Sequence, residues 1–301
     1  REKQLVKSHT HNLDAYNKYL KGIYYWNKWT PDMMRKAIGL FQETLEMEPD
    51  FAPAYSWLAN SYIIMGAMGT MRPELSYPKA QENAAKALEM DDELYDSHLA
   101  MALVNMFHDW DWDSARDHLK RAMELNPGAG QVHYILGMYH QAAGRLRESV
   151  KDLEQAVRLD PFSIPINNHL TFVYYASGQY ETALEQIEKT LELDPDHRSA
   201  IEMKGWGYLA MGDLEKAIEQ FKYYYSLTPG DFNGLTSLGF TYARAGKTDE
   251  AMDVLDKMKQ RAKNDPEAQL DQDLILLYVG LGDLDKALYH LEKTLESRLG
   301  G

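Results

Sequence analysis

Apolar residues recur along this chain with the spacing of amphipathic helices, and the helical segments themselves recur at a fixed interval. Prolines that follow acidic or polar residues lie 34 residues apart, at Pro127, Pro161, Pro195 and Pro229. Glycines keep the same step, at Gly144, Gly178, Gly212 and Gly246. A period of 34 residues is typical of a helix–turn–helix repeat, in which each helix pair stacks on its neighbours. The pattern therefore predicts an all-α fold built as a solenoid of helix pairs.

Divided at these landmarks, the sequence gives a polar lead-in, 1–13, and one repeat array, 14–301. The array has eight units, at about 14–50, 51–93, 94–129, 130–163, 164–197, 198–231, 232–267 and 268–301. The second unit is lengthened by the stretch 66–77, whose glycines and proline predict a loop. The third contains 108–113, which we interpret as a turn between helices with Trp110 and Trp112 packed into the array.

The landmarks within single units resemble those of the tetratricopeptide repeat. In the fourth unit they are His133, Leu136, Gly137, His140, Gly144, Ser149, Leu153, Ala156 and Pro161. In the sixth they are Ile201, Gly205, Tyr208, Gly212, Ala217, Phe221 and Pro229. The resemblance covers about 14–299 and implies a right-handed superhelical α-solenoid of about eight antiparallel helix pairs. Small residues such as Gly205 and Ala217 let paired helices cross closely, and the glycine at each bend is expected to form a left-handed helix cap.

A narrower resemblance concerns the aromatic segments 19–28 and 109–112 and the long second unit. These are similar to repeat arrays attached to bacterial signalling proteins, which carry nucleotide cyclase, protein kinase or winged-helix DNA-binding modules. No such effector module is present in this sequence. The first residue is Arg1 and no signal pattern follows it, so we expect a segment of a longer protein. The resemblance implies a regulatory or dimerising input module of a signalling protein.

Composition and charge narrow the function further. The chain of 301 residues has a net charge of −14 and no cysteine, which excludes disulfides, thiol catalysis and cysteine-based zinc sites. An acidic array repels phosphate backbones, so we expect no nucleic acid to bind it and favour a basic or apolar protein partner. No apolar run is long enough to span a membrane. We expect a cytoplasmic protein; a periplasmic one would need a membrane span before residue 1.

The first helices of such stacked pairs line the inner face of the array, and residues spaced by three and four share one side of a helix. This spacing predicts a groove of mainly apolar and aromatic residues from Leu99, Leu103, Met106, Tyr134, Met138, Gln141, Asn168, Phe172, Tyr175, Glu202, Trp206, Leu209, Thr236, Phe240 and Ala243. The alternative is that neighbouring repeats cover these side chains.

The groove predicts a particular kind of ligand. Some tetratricopeptide grooves clamp a terminal carboxylate with basic residues and asparagine, but here those positions hold Tyr134, Met138, Asn168, Phe172 and Glu202. A peptide that inserts apolar side chains fits better, with Asn168 and Gln141 able to bond its backbone.

We find no sequence motif for catalysis, nucleotide binding or metal binding. The acids within 108–113 have the spacing of a calcium loop, but Ser114 and Lys120 stand where glycine and glutamate are required. His133 and His140 occupy packing positions, which favours structural roles. We therefore expect a scaffold that is not an enzyme and has no cofactor or metal. Small-molecule sensing between repeats, or an active site of scattered residues, are the alternatives, and the run 223–225 is also consistent with a homodimer.

Overall fold

The structure, a computed structural model, describes residues 12–26, 28, 30–229, 232–263 and 270–299. These ranges form sixteen α-helices with one π-helical turn and no β-strand, which confirms the prediction of an all-α repeat solenoid. Residues 1–11 of the predicted lead-in lie outside the described residues, whereas Asn12 accepts hydrogen bonds of 3.1 Å from the backbone N–H groups of Asp14 and Ala15, and Leu13 begins the first helix. The helices are α1 (Leu13–Trp26), α2 (Pro31–Met47), α3 (Ala52–Ala67), α4 (Pro73–Met90), α5 (Tyr95–Val104), α6 (Trp112–Leu125), α7 (Gly130–Ala142), α8 (Leu146–Leu159), α9 (Ile164–Ala176), α10 (Tyr180–Leu193), α11 (Arg198–Ala210), α12 (Leu214–Leu227), α13 (Phe232–Arg244), α14 (Thr248–Ala262), α15 (Leu270–Leu281) and α16 (Leu284–Leu299).

The bends between paired helices are made by glycines in the left-handed region. Their φ angles lie between 72° and 82° at Gly144, Gly178, Gly212, Gly246 and Gly282. Any other residue would be strained there, because its Cβ atom would approach the following carbonyl group. The predicted left-handed caps are therefore confirmed.

A second class of glycine lets the helices of a pair cross closely. A Cβ atom on Gly205 of α11 would lie 2.6 Å from Cε1 of Phe221 on α12. Gly137 of α7 has the same relation to Leu153 of α8, also at 2.6 Å. Phe221 and Leu153 are fully buried, so each crossing glycine receives a large core side chain. These contacts confirm the packing that the repeat pattern predicted.

The helices form two compact units, which divide between Leu159 and Asp160. We call them the first unit and the second unit, as distinct from the eight repeat units. The core of the first unit includes Phe41, Leu58, Leu99, Met106, Leu119 and Ile135. In the second unit one apolar cluster is formed around Phe221, and another around Leu255 and Leu277. The boundaries of the eight repeat units given above stay predictions.

The prediction of a loop at 66–77 is wrong for most of that stretch. α3 continues to Ala67 and α4 begins at Pro73, so only 68–72 connect the helices. Gly66 is buried against Ser76, at a distance that leaves no room for a side chain. Gly66 therefore serves a close helix contact rather than a turn, and Pro78 lies inside α4.

The segment after α5 is also more regular than predicted. Asn105–Asp109 forms a π-helical turn, and Trp110 ends it with a φ of 57°. Asp111 then caps α6, accepting a hydrogen bond of 3.0 Å from the backbone N–H of Ser114. Trp112 packs against the core of the first unit, as predicted, but the indole of Trp110 is 70% exposed. The prediction that Trp110 is packed into the array is therefore wrong.

Candidate functional site

In the third repeat unit, at about 94–129, neighbouring helices cover the inner face that the repeat spacing predicts. α3 and α5, which are the first helices of successive pairs, pack directly on each other. Leu99 and Leu103 are buried members of the resulting core. Met106, which lies in the π-helical turn after Val104, is 0% exposed and belongs to the same core. These three residues belong to the core and leave the candidate groove.

The inner face is covered again at α13, where α15 packs on it. The Thr236 hydroxyl lies 3.2 Å from Oδ1 of Asp273 and donates a hydrogen bond to it. Phe240 is only 9% exposed, since Gly280 of α15 lies against its ring. Thr236 and Phe240 are thus core residues of the second unit, while Ala243 is half-buried beside them.

The side chains at the groove positions of α7 are neither fully buried nor fully exposed. Tyr134 and Met138 are half-buried and pack against the core of the first unit, and Gln141 is half-buried as well. Burial raises the pKa of the Tyr134 hydroxyl, so this group is neutral at physiological pH. The predicted contribution of α7 is therefore a narrow strip of partly accessible side chains.

Phe172 on α9 is the one exposed side chain among the predicted groove positions, whereas the other groove positions on α9 and α11 are half-buried, as on α7. We define the α9–α11 face as Asn168, Phe172, Tyr175, Glu202, Trp206 and Leu209. α9 and α11 touch at few positions, in contrast to α13 and α15. α9 and α11 therefore carry six of the predicted groove positions within the second unit.

The aromatic residues of this face differ in their packing. Phe172 is 46% exposed, whereas Tyr175, Trp206 and Leu209 are half-buried. The Trp206 ring centroid lies 5.2 Å from that of Phe221 and 6.0 Å from that of Phe240. Trp206 is therefore held rigidly by the core below it, while Phe172 projects from the surface.

Polar groups on the face are few. Nδ2 of Asn168 donates a hydrogen bond to the Ser199 hydroxyl at 3.2 Å, which links α9 to α11. Oδ1 of Asn168 is buried and lacks a partner among the described residues. His169, next to the face, has its pKa lowered to about 4 by burial and is neutral at physiological pH. Glu202 alone among the six residues carries a formal charge.

The two histidines noted in the sequence lie within hydrogen-bonding distance of other groups, and the tyrosine run 223–225 is partly buried. His140 Nδ1 lies 2.7 Å from Asp152 Oδ2, and His133 Nε2 lies 3.1 Å from the carbonyl oxygen of Pro127. In the run 223–225 the middle tyrosine, Tyr224, is buried, while Tyr223 is exposed. The sequence interpretation missed that His98 and His118 lie side by side, with their Nδ1 atoms 2.9 Å apart.

Two other kinds of site are absent from the described ranges. Those ranges contain no group of three histidine, aspartate or glutamate side chains that could hold a metal ion. They also contain no helix whose length and apolar character would allow it to cross a membrane.

Comparison with known proteins identifies related sequences. A family model described as tetratricopeptide repeat matches residues 92–263. The transcriptional regulator HilA of Salmonella typhimurium is 27% identical over 148 residues, which cover 49% of this chain and 27% of that protein. The matched part is therefore about a quarter of the regulator's length.

Solved structures with the same architecture come from diverse proteins. The human IFIT1 dimer with m7Gppp-AAAA has a TM-score of 0.64 at 15% identity and covers 95% of this chain and 72% of that chain. PilW, a type IV pilus biogenesis factor, has a TM-score of 0.60 at 18% identity, with 73% and 98% covered. Yeast Tom70 has a TM-score of 0.59 at 19% identity, with 96% and 61% covered. Similarity at this level shows a shared fold and leaves the ligand undetermined.

Proposed function

Because the chain belongs to the tetratricopeptide repeat family, we propose that it binds a peptide segment of a partner protein on the α9–α11 face. Helical repeat proteins of this kind serve generally as protein–protein interaction scaffolds and not as catalysts. The proposal specifies where on the chain the ligand binds and to which chemical class the ligand belongs.

The exposure of Phe172 carries the proposal. An aromatic side chain offers about 150–250 Å² of surface, and nearly half of Phe172 remains accessible. Tyr175 is half-buried one helical turn further along α9, and Trp206 occupies the equivalent repeat position on α11, where its ring packs on that of Phe221. A fixed aromatic surface with an accessible aromatic next to it suits the insertion of an apolar side chain, because little side-chain entropy is lost on binding.

Polar groups support an extended or helical peptide that is neutral or basic. The face has no lysine or arginine to bind a terminal carboxylate, and Glu202 favours a positive charge nearby. The net charge of −14 opposes the binding of a phosphate-rich ligand such as the m7Gppp-AAAA of the IFIT1 structure.

A selection from a random peptide library tests the proposal. Peptides enriched on the chain are expected to contain aromatic or aliphatic anchors and few acidic residues. Their affinity is expected to fall about tenfold or more for Phe172→Ala, because one anchor contact of this size contributes over ~1 kcal/mol. Phe162→Ala is the matched control, since Phe162 is 77% exposed and lies outside the face. Equal affinity of both variants would contradict the proposed site.

A second candidate function is that of an input module in a regulatory protein. The 27% identity to HilA over 148 residues supports it, as does the basic first segment, 1–40, with eight lysine and arginine residues against three acidic residues. The reading frame around this sequence provides the test. A DNA-binding, kinase or cyclase module in the same polypeptide is expected under this proposal, and a reading frame without an effector module would contradict it.

A further inference from the structure

The last helix, α16, exposes a row of leucines. Leu284, Leu288, Leu291 and Leu295 follow one another at intervals of four, three and four residues, and they are 41–61% exposed. This spacing places all four on one side of the helix. We call these four residues the α16 row.

The equivalent positions in earlier repeats are covered by the next helix pair. Leu288 follows the left-handed glycine of its pair by six residues, as Leu184 does in α10, and Leu184 lies against Gly207 of α11. Leu295 follows the same glycine by thirteen residues, as Tyr225 does in α12. Tyr225 lies against Gly234 of α13, whose Cβ atom would be 3.3 Å from its ring. The α16 row is therefore the surface on which the first helix of a following pair would dock.

The first helix, α1, exposes a matching row. Leu13, Tyr16, Leu20 and Tyr24 are 41–71% exposed. Tyr24 follows the crossing glycine Gly22 by two residues, as Gly207 follows Gly205. The exposed side of α1 is therefore the side that, in the first helices of later repeats, contacts the preceding helix pair. We call these four residues the α1 row.

Charges beside the two rows are complementary. Lys21 lies one residue after Leu20 and is exposed, and Lys28 lies over the Tyr24 ring at 4.8 Å. Asp285 and Glu292 each lie one residue after a leucine of the α16 row, and both are exposed. When two helices pack antiparallel, the residues one position after the contact row of one helix face the residues one position after the contact row of the other. Lysines would then oppose carboxylates across the contact.

We propose that α1 of one copy docks antiparallel on α16 of a second copy, head to tail, as the first helix of an additional repeat would. Two paired helices of this length bury on the order of 1,000 Å² in total, which is at the lower limit of specific interfaces. The association is therefore weak and dependent on concentration. Because the contact joins two different surfaces, each copy keeps one row available, and the complex grows beyond a dimer.

Sedimentation velocity of the full chain between about 5 and about 500 μM tests the proposal. The mean mass is expected to rise with concentration and to pass that of a dimer. Tyr24→Asp and Leu288→Asp each place a charge in an apolar contact and are expected to raise the midpoint concentration about tenfold or more. Phe162→Asp is the matched control and is expected to associate like the unchanged chain. A monomeric chain throughout this range would overturn the proposal.

Mixing the two variants separates a head-to-tail contact from a symmetric one. An equimolar mixture of Tyr24→Asp and Leu288→Asp retains one intact pair of rows and is expected to form a 1:1 dimer that grows no further. A symmetric contact between two α16 rows would leave Tyr24→Asp associating normally, and this result would overturn the proposal. Circular dichroism verifies that both variants keep their helices, as the exposure of the two side chains predicts.

Exchanging charges provides a further measurement that leaves both apolar rows intact. Lys21→Glu and Glu292→Lys are each expected to weaken association, whereas the double variant is expected to recover it because opposite charges again face one another. Loss in the double variant as large as in the single variants combined would contradict the antiparallel register.

Discussion

Gly280 lies directly on the ring of Phe240. A Cβ atom on Gly280 would be 2.9 Å from Cδ2 of Phe240 and 3.2 Å from Cβ of Ala243. This contact packs α15 against α13. It covers the surface around Phe240, which the repeat pattern predicts to be part of the groove. No described contact of this kind joins α9 to α11, and Phe172, at the position equivalent to Phe240, remains accessible. Helix–helix distance rather than residue type therefore separates the candidate site from the core.

Two phenylalanines at equivalent repeat positions are expected to differ in their effect on stability. Phe240→Ala should lower the free energy of unfolding by about 3–5 kcal/mol, because it removes a buried ring beneath α15. Phe172→Ala should cost less than about 1 kcal/mol, since nearly half of its surface is already in water. Urea unfolding monitored by circular dichroism measures both. Similar losses would show that Phe172 also belongs to the core.

Crossing glycines are expected to tolerate no side chain. Gly205→Ala should destabilise the chain by about 1–3 kcal/mol, since its Cβ atom would overlap the buried Phe221 ring. Gly39→Ala is the matched control, because Gly39 lies in α2 and has nothing within 4 Å of the added atom. There alanine should stabilise the helix by about 0.5–1 kcal/mol. Thermal unfolding midpoints of the two variants should move in opposite directions, and a shift in the same direction would contradict the packing.

Acid is expected to destabilise the second unit through His169. Burial lowers the pKa of this imidazole from its ordinary 6.5 to about 4, so the unfolded chain binds a proton before the folded chain does. The contribution of neutral His169 to stability is complete above pH 6.5 and is lost as the pH falls through 4. Between pH 7 and pH 4 the chain should lose about 3 kcal/mol more than His169→Asn, which cannot titrate. Urea unfolding at several pH values measures this difference, and parallel pH profiles would show that His169 is not buried as described.

The fold could be predicted from sequence because it depends on local, repeated requirements. Each left-handed bend needs a residue without Cβ strain, and each close crossing needs a small residue opposite a large one. Gly212 and the pair Gly205–Phe221 satisfy these requirements within one unit, so their 34-residue recurrence is visible in the sequence. The loop predicted at 66–77 was wrong because glycine serves both purposes, and the sequence does not distinguish a turn from a close contact at Gly66.

The candidate site could be predicted only in part. Helical spacing gives the direction in which a side chain points, and it placed Phe172 and Trp206 on the same side of successive first helices. It does not give the distance to the neighbouring helix, so it could not distinguish the accessible Phe172 from the covered Phe240. The same limitation applies to Leu99, Leu103 and Met106, which all belong to the core of the first unit.

Fluorine NMR of the chain labelled with 5-fluorotryptophan reports whether a peptide binds at the α9–α11 face. Trp206 lies on the α9–α11 face, whereas Trp57 and Trp112 pack in the core of the first unit, and single Trp→Phe variants assign their signals. A library-selected peptide is expected to shift the Trp206 signal and to leave those of Trp57 and Trp112 unchanged, with the shift reduced in Phe172→Ala. Saturating peptide that shifts a tryptophan of the first unit while Trp206 does not respond would contradict binding at the α9–α11 face.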